Sequence, residues 1–368
     1  MITNRREWLK TTTTVLAGLG FTPQLPAAEK EEYLPGNIIL LNRNENAYGP
    51  SPAAKKAMAE ALVNSNRYPD EQIPKLKQQI ADFWQVSSEN ILMGAGSSEI
   101  LGLTSILVSS TKGNVITAEP SYRVWNSQAE SFGLQFIRIP LNSERKLDLE
   151  KMLNAVDAET RMMYVCNPNN PTGTYIENTR LREFVFVCSK KCTVLVDEAY
   201  TEFSDLPSLK DLAIQHPAII VAKTFSKIYG LAGARVGYAI AHADTIKKLS
   251  SFQSWADISV SMVSAAAASA SLNDQSFVKD CREKTAKARE LCYSTFKELK
   301  FDYIPSHTSF ILFNIEKING DFSAQMQVKN IFVQYRNHFD GKWCRVSMGT
   351  IEEMLHFSTA LKSIAGGF

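Results

Sequence analysis

Three short apolar runs, at residues 162–166, 193–196 and 219–222, each end in polar residues that could do chemistry. The segments that follow these runs are 167–173, 197–200 and 223–227. In open α/β sheets, reactive residues gather just beyond the carboxyl ends of the strands. We therefore expect the three segments to lie together at one edge of a sheet.

Asp197 and Lys227 have the clearest chemical potential in these segments. Asp197 ends a predicted buried strand, where a carboxylate favours a protonated partner by charge pairing. Lys227 follows an apolar strand and precedes a glycine-rich turn. Burial and a nearby cation such as Arg235 would lower the pKa of its amine and make it a better nucleophile and base. The simpler alternatives are a helix N-cap aspartate and a solvated surface lysine.

The order and spacing of these segments resemble a known family. Asn-Pro-Asn-Asn-Pro-Thr-Gly (167–173), Asp-Glu-Ala-Tyr (197–200) and a Ser-Lys pair with an arginine eight positions after the lysine (226–235) occur in the order found in fold-type I pyridoxal-5′-phosphate (PLP) aminotransferases. From about residue 36 to the C-terminus, the chain is similar to the histidinol-phosphate aminotransferase group. The resemblance implies a PLP cofactor and amino transfer between an amino acid, or a phosphorylated amino compound such as histidinol phosphate, and a 2-oxo acid.

The resemblance also implies roles around the cofactor ring. Lys227 carries PLP as a Schiff base and moves the proton at the substrate Cα, so it is the expected catalytic residue. Asp197 pairs with the pyridine nitrogen, and Tyr122 stacks on the ring. The phenolic oxygen of PLP is bonded by Asn170 and Tyr200.

Phosphate binding is expected from hydroxyl groups, a guanidinium and the N–H groups at a helix start, which is a natural anion site. The residues are Gly96, Ser97, Ser98, Thr224, Ser226 and Arg235. Tyr68 resembles the tyrosine that reaches the cofactor phosphate of a neighbouring subunit, which implies a homodimer with shared sites. The alternative, a dinucleotide fingerprint starting at Gly94, lacks the third glycine and the acidic residue at the required distance.

Substrate contacts are expected from Tyr48 and from Arg345, whose guanidinium suits a carboxylate or phosphate. Where histidinol-phosphate aminotransferases typically carry a Val-Arg pair, this chain has Val333 followed by Gln334. This departure weakens the histidinol-phosphate assignment. Arg336 could replace the missing charge if strand register is kept, because residues two apart share a face.

Two other functions share these features. A related PLP decarboxylase or lyase would use the same cofactor and differ in which Cα bond is cleaved. A catalytically silent PLP-binding protein is disfavoured by the intact set of Lys227, Asp197 and Arg235.

The alternation of apolar runs with helical segments predicts an α/β fold with a mostly parallel sheet covered by helices, followed by a smaller α+β domain. We expect an N-terminal arm and part of the small domain at 29–64, a PLP-binding large domain at 65–275 and a small C-terminal domain at 276–368.

Residues 1–28 resemble a twin-arginine signal peptide, with Arg5-Arg6 before a short, weakly apolar run. The expected location is periplasmic, and the alternative is a cytoplasmic protein with an uncleaved N-terminus. The run is too short to span a bilayer, so no stable membrane association is expected.

The rest of the composition is ordinary. Three of the 40 basic and one of the 38 acidic residues lie in 1–28, so the remaining charges balance. Nothing there indicates nucleic acid as a partner. The six cysteines and five histidines lack metal-site spacing, and we expect neither a metal nor a disulfide framework.

Overall fold

The computed structural model describes residues 38–339 and 341–366, so the predicted signal peptide at 1–28 lies outside the described residues. The strands are β1 (Ile39–Leu41), β2 (Ile91–Gly94), β3 (Gly113–Glu119), β4 (Leu134–Pro140), β5 (Thr160–Cys166), β6 (Thr193–Asp197), β7 (Ile219–Thr224), β8 (Gly237–Ala241), β9 (Tyr303–Ile304), β10 (Phe310–Asn314), β11 (Ile331–His338) and β12 (Gly341–Ser347).

Helices alternate with these strands. They are α1 (Pro52–Ala61), α2 (Gln72–Trp84), α3 (Ser97–Val108), α4 (Asn126–Ser131), α5 (Leu149–Asn154), α6 (Asn178–Ser189), α7 (Lys210–Gln215), α8 (Ala243–Ser250), α9 (Met262–Asn273), α10 (Gln275–Glu298), α11 (Phe322–Gln327) and α12 (Ile351–Ala365), with short 3₁₀ turns at Leu62–Asn64, Ser88–Asn90 and Thr201–Phe203. The start of α1 shows how local sequence sets a boundary: the Ser51 hydroxyl accepts the Ala54 N–H at 3.1 Å, and Pro52 occupies the first helical position.

The larger sheet has seven strands in the order β2-β8-β7-β6-β5-β3-β4. Its central pairs are parallel, whereas β8 pairs antiparallel with both β7 and β2. Both faces of this sheet are covered: Val194 and Val196 of β6 face one buried cluster, and Leu195 faces another. Consecutive side chains of β6 point to opposite faces of the sheet. Because both faces are buried, Val194, Leu195 and Val196 can all be apolar.

The smaller sheet has the order β1-β11-β12-β10-β9. Its β1 and β11 run parallel, and the other pairs are antiparallel. A separate cluster fills its core, in which Leu41 of β1 packs with residues of α10 and α12 such as Phe296 and Phe357. The predicted α/β architecture with a smaller α+β part is confirmed.

Four strands were not predicted from the sequence. They are β1, β2, β4 and β9. β4 forms the edge of the large sheet, and its residues beyond Leu134 are exposed or half-buried, so it lacks the continuous apolar run of a central strand. No helix among residues 38–339 and 341–366 is long and apolar enough to cross a membrane.

Candidate active site

A cavity of about 840 Å³ opens where the carboxyl ends of β5, β6 and β7 meet. Most of the residues that the sequence singled out line this cavity: Ser97, Ser98, Tyr122, Asn170, Asp197, Tyr200, Thr224, Ser226, Lys227, Arg235 and Arg345. Parallel strand pairing thus brings the three polar segments together at one edge of the sheet, as expected from the sequence.

The amine of Lys227 lies inside this cavity. Its Nζ donates to the Asn44 carbonyl oxygen at 3.4 Å and lies 5.6 Å from the centre of the Tyr200 ring. Burial lowers the pKa of Lys227 to about 8, and the Arg345 guanidinium contributes in the same direction. About a tenth of the amine is therefore neutral at pH 7, far more than for a lysine with the usual pKa of 10.5, and the neutral form is the nucleophile and base.

Asp197 is a buried carboxylate, 3% exposed, at the end of β6. Burial raises its pKa, and two hydrogen bonds oppose that effect. The Tyr164 hydroxyl donates to Oδ2 at 2.9 Å, and the Ala199 N–H donates to Oδ1 at 3.1 Å. The sequence analysis missed Tyr164, although a tyrosine within the apolar run 162–166 was the available signal.

The opposite end of the cavity is an anion cradle at the start of α3. Gly96, at φ +80°, forms the N-cap of this helix, and a Cβ there would collide with the guanidinium of Arg235. The Arg235 guanidinium donates to Ser98 Oγ at 3.4 Å, and Thr224 Oγ1 lies 3.0 Å from Ser226 Oγ. Helix N–H groups, hydroxyls and a cation therefore converge on one small space, as a phosphate group requires.

Arg345, the predicted substrate contact, also lines the cavity. Its two terminal nitrogens donate to Asn170 Oδ1 at 2.8 Å and to the Asn42 carbonyl oxygen at 3.1 Å. Its Nε is buried and has no hydrogen-bond partner among the described residues. Asn170 and Asn44 also donate to the Tyr200 hydroxyl, at 3.4 and 3.1 Å. An unsatisfied buried donor on a cation is an expected feature of an anion site.

Strand β11 places Gln334 and Arg336 on the same wall of the cavity, followed by His338. Gln334 pairs with Arg345 in the sheet, and Arg336 pairs with Trp343. The register needed for Arg336 to face the site is therefore present. His338 was not predicted from the sequence; burial, with the charges of Arg123 and Arg336, lowers its pKa to about 4.

Two predicted contacts lie outside the cavity. Tyr48 packs against the large hydrophobic core, with Lys284 Nζ 5.0 Å from its ring centre. Tyr68 is 67% exposed, and its ring lies 5.0 Å from that of Trp255. Neither tyrosine contacts this cavity within the single described chain.

The residues present fit PLP, which is a phosphate ester of an aldehyde-bearing pyridine. Asp197 would pair with the ring nitrogen, and Lys227 would bond to the aldehyde carbon. The cradle around Gly96 and Arg235 would hold the phosphate, and the buried Arg345 Nε, unpaired among the described residues, could donate to a further anion. Among the described residues, no group of side chains suits a metal ion.

The fold and this site together define a PLP-dependent enzyme of fold type I. The family model for aminotransferase class I and II matches residues 36–361. The chain belongs to this family and is a PLP-dependent aminotransferase. The predicted cofactor and reaction type are thereby confirmed, ahead of the decarboxylase or lyase alternative.

Individual relatives agree with this assignment. The histidinol-phosphate aminotransferase of Caldicellulosiruptor saccharolyticus is 34% identical over 349 residues, which covers 94% of this chain and 97% of the relative. That of Geobacillus sp. (strain WCH70) is 37% identical over 311 residues, covering 84% of each.

Solved structures with the same fold include two of this kind. A putative histidinol-phosphate aminotransferase from Erwinia carotovora atroseptica aligns with a TM-score of 0.85 and 29% identity, covering 90% of this chain and 97% of that one. The histidinol-phosphate aminotransferase of Sinorhizobium meliloti, solved in complex with pyridoxal-5′-phosphate, aligns with a TM-score of 0.82 and 27% identity, covering 90% and 91%.

Proposed function

We propose that this aminotransferase takes its amino group from an amino acid with an anionic side chain and passes it to a 2-oxo acid. Arg345 would hold the α-carboxylate, and Arg336 would face the distal anion of the side chain. The observation that carries this proposal is the position of Arg336, which lines the cavity two residues beyond Gln334 on β11.

The spacing of the two guanidiniums favours a substrate with two anionic groups. Gln334 lies opposite Arg345 in the sheet, and Arg336 lies about 6.6 Å further along the strand, since a strand rises about 3.3 Å per residue. A single phosphate at Arg345 would therefore meet the neutral amide of Gln334 and not a second cation. We infer that histidinol phosphate is at best a poor amino donor for this enzyme.

The charges at the mouth of the cavity support an anionic substrate. Arg43, Arg123 and Arg336 line this region together with Glu45 and Glu119. Arg123 lies 3.5 Å from Glu119. Arg336 forms no salt bridge with a carboxylate among the described residues and donates only to the Tyr335 carbonyl oxygen. With a pKa near 4, His338 is neutral at neutral pH and does not bind that anion by charge.

Each residue then has a defined task in the reaction. Bound PLP supplies an electron sink that lets the substrate Cα lose a proton. The carboxylate of Asp197 would keep a positive charge on the ring nitrogen. Arg345 would orient the substrate by its carboxylate. The neutral amine of Lys227 would accept the Cα proton at Nζ and then pass it to the aldehyde-derived carbon of the cofactor, not back to Cα.

Histidinol phosphate remains the competing amino donor, because the relatives described above are named as histidinol-phosphate aminotransferases. The two candidates differ in a measurable way. In histidinol phosphate, the phosphate is the only group that Arg345 could hold. In an acidic amino acid, both Arg345 and Arg336 have an anion to bind.

A half-reaction screen tests the proposal. The PLP-loaded enzyme is mixed with a panel of amino acids and with histidinol phosphate, and the change in cofactor absorbance is followed for each. We expect kcat/KM to be highest for acidic amino acids. A value for histidinol phosphate far above every amino acid would contradict the proposal. Borohydride reduction followed by peptide mapping should place the cofactor on Lys227.

We also propose a homodimer with shared active sites. Tyr68 and Trp255 are 67% and 52% exposed in the single chain and contact each other. Exposed aromatic pairs are typical of interface cores. Tyr68 of one subunit would then contact the cofactor phosphate of the other.

Export to the periplasm through the twin-arginine signal is a further proposal. It is supported by Arg5-Arg6 and the weakly apolar run that follows. An enzyme that needs a cofactor and two subunits is best exported already folded, and a twin-arginine route carries folded cargo. Export would also separate the enzyme from histidine biosynthesis.

A further inference from the structure

A buried ion cluster lies on the other face of β7 from the cofactor cavity. Lys223 is 1% exposed and precedes Thr224, so their side chains point to opposite faces of the strand. Its Nζ lies 2.6 Å from Glu202 Oε1 and 3.4 Å from Glu198 Oε2. It also donates to Thr201 Oγ1 at 2.6 Å. No residue of this cluster lines the cavity.

Every member of the cluster belongs to a segment that carries a cofactor-facing residue. Glu198 directly follows Asp197, and Glu202 lies two residues after Tyr200. Lys223 directly precedes Thr224. The cluster therefore links the segment after β6 to the end of β7, on the face of the sheet opposite the cavity.

The anchoring of the cluster is rigid on both sides. Glu198 Oε1 accepts the Leu209 N–H at 2.7 Å, which fixes the carboxylate independently of the lysine. On the other side, Lys223 Nζ lies 4.9 Å from the centre of the Trp84 ring, whose N–H donates to the Tyr238 hydroxyl at 2.8 Å. The Lys223 amine is thus contacted by two carboxylates, a hydroxyl and an indole.

Stability alone does not account for this cluster. Burial lowers the pKa of Lys223, but Glu202 and Glu198 outweigh that effect and hold it above its usual value. A charged lysine is therefore held by one buried glutamate, Glu198, and one partly buried glutamate, Glu202. Buried ion pairs are often replaceable by apolar residues of similar volume without loss of stability, so a buried ion cluster is weak evidence for a stabilising role.

We propose that Lys223 is a positioning residue of the PLP site. By holding Glu198 and Glu202, it fixes the segment that presents Asp197 relative to the turn that presents Lys227. This role goes beyond the proposed function, because it is independent of which amino donor the enzyme uses.

The test compares three variants. Lys223→Arg keeps the cation and should bind PLP as tightly as wild type, because a guanidinium also forms charged hydrogen bonds to carboxylates. Lys223→Met/Glu202→Gln removes the contact between Lys223 and Glu202. The remaining Glu198 carboxylate carries one negative charge, which equals the net formal charge of the lysine and two carboxylates in wild type. Glu202→Gln alone keeps the lysine paired with Glu198 and provides a milder change that is expected to fold.

A matched control removes a buried polar contact elsewhere. Thr295 Oγ1 lies 3.0 Å from Ser358 Oγ, between α10 and α12 in the core of the smaller sheet. Thr295→Val/Ser358→Ala removes both partners of this contact, as the double variant does in the cluster. It should lower the thermal stability without changing PLP binding.

Two readouts separate positioning from stability. The first is the equilibrium dissociation constant of PLP from each purified apo protein, and the second is the pH midpoint of the cofactor absorbance. For Lys223→Met/Glu202→Gln we expect PLP binding weakened roughly tenfold and a shifted midpoint, since lost bonds to charged groups typically cost that much. Glu202→Gln should weaken PLP binding by about threefold.

The proposal is overturned if Glu202→Gln and the double variant, where folded, bind PLP as tightly as wild type with the same pH midpoint. It is also overturned if the control weakens PLP binding as much as the cluster variants do. If the double variant does not fold, the dissociation constant of Glu202→Gln decides alone.

Discussion

Tyr164 on β5 donates a hydrogen bond of 2.9 Å to Asp197 Oδ2 at the end of β6, and both residues are almost fully buried. The bond opposes the effect of burial, which raises the pKa of Asp197. Tyr164 is held in turn by Trp125, whose ring centre lies 5.0 Å from its own. The carboxylate that would pair with the cofactor nitrogen is thus oriented by a residue outside the cavity lining, and the same residue opposes the rise in its pKa.

Tyr164→Phe should reduce kcat while the enzyme still binds PLP. Without the phenol, Asp197 loses a donor, its pKa rises, and it pairs less well with the ring nitrogen. We expect kcat to fall roughly tenfold, in line with one hydrogen bond to a charged group. Steady-state kinetics and PLP content measure this effect, and a kcat within twofold of wild type would contradict it.

Covalent capture of PLP by the apo protein should depend on pH with a midpoint near 8. Burial and Arg345 lower the pKa of Lys227 from its usual 10.5 to about 8, so the neutral amine becomes available as the pH rises through 8. Arg345→Gln should move this midpoint upward, because one of the cations that lower the pKa is gone. Stopped-flow absorbance at a series of pH values measures the midpoint.

The same shift has a consequence for stability. Between about pH 8 and 10.5 the unfolded chain binds more protons at Lys227 than the folded chain does. This lysine therefore makes the apo protein more stable as the pH rises through that window. In thermal denaturation across this range, the stability of apo wild type should rise with pH relative to that of apo Lys227→Met, which has no amine to titrate. A constant difference would exclude the lowered pKa.

Gln334→Arg should improve histidinol phosphate as an amino donor. The substitution places a second guanidinium opposite Arg345 in the sheet, where a phosphate could be held by both. We expect kcat/KM for histidinol phosphate to rise about tenfold or more. Arg336→Gln is the matched variant, and it should instead lower kcat/KM for acidic amino acids. If Gln334→Arg leaves histidinol phosphate unchanged, residue 334 does not set this specificity.

Mixing two inactive variants should restore activity if the sites are shared between subunits. A Lys227→Ala subunit keeps Tyr68, and a Tyr68→Ala subunit keeps Lys227. Their hybrid dimer contains one complete site, made from Lys227 of one subunit and Tyr68 of the other. Refolding the mixture and measuring turnover tests this, and the absence of any regained activity would place Tyr68 outside the site.

Fractionation of cells that express the full-length protein tests export. We expect wild type in the periplasm without residues 1–28, and an Arg5→Lys/Arg6→Lys variant retained in the cytoplasm. Mass spectrometry of the purified protein identifies its N-terminus. If wild type stays cytoplasmic and keeps Met1, the export proposal fails, whereas the aminotransferase assignment stands.

Much of the candidate site could be predicted because its residues lie next to buried strands. Asp197 and Lys227 follow apolar runs, and parallel strands bring their carboxyl ends to one edge. His338 and Lys223 could not be predicted in the same way. His338 reaches the cavity only because β11 and β12 pair in one register, and Lys223 is buried only because two glutamates from another segment surround it.

The sequence by itself determined the class of the fold, the cofactor and the reactive residues, because these depend on local patterns and on motif order along the chain. Only the tertiary structure decided whether Arg336 lines the cavity, which residue orients Asp197, and where Tyr48 and Tyr68 lie. The physical reason is that these facts depend on strand register and on contacts between residues far apart in the chain. A shift of one residue in β11 would turn Arg336 away from the cavity without changing any local pattern.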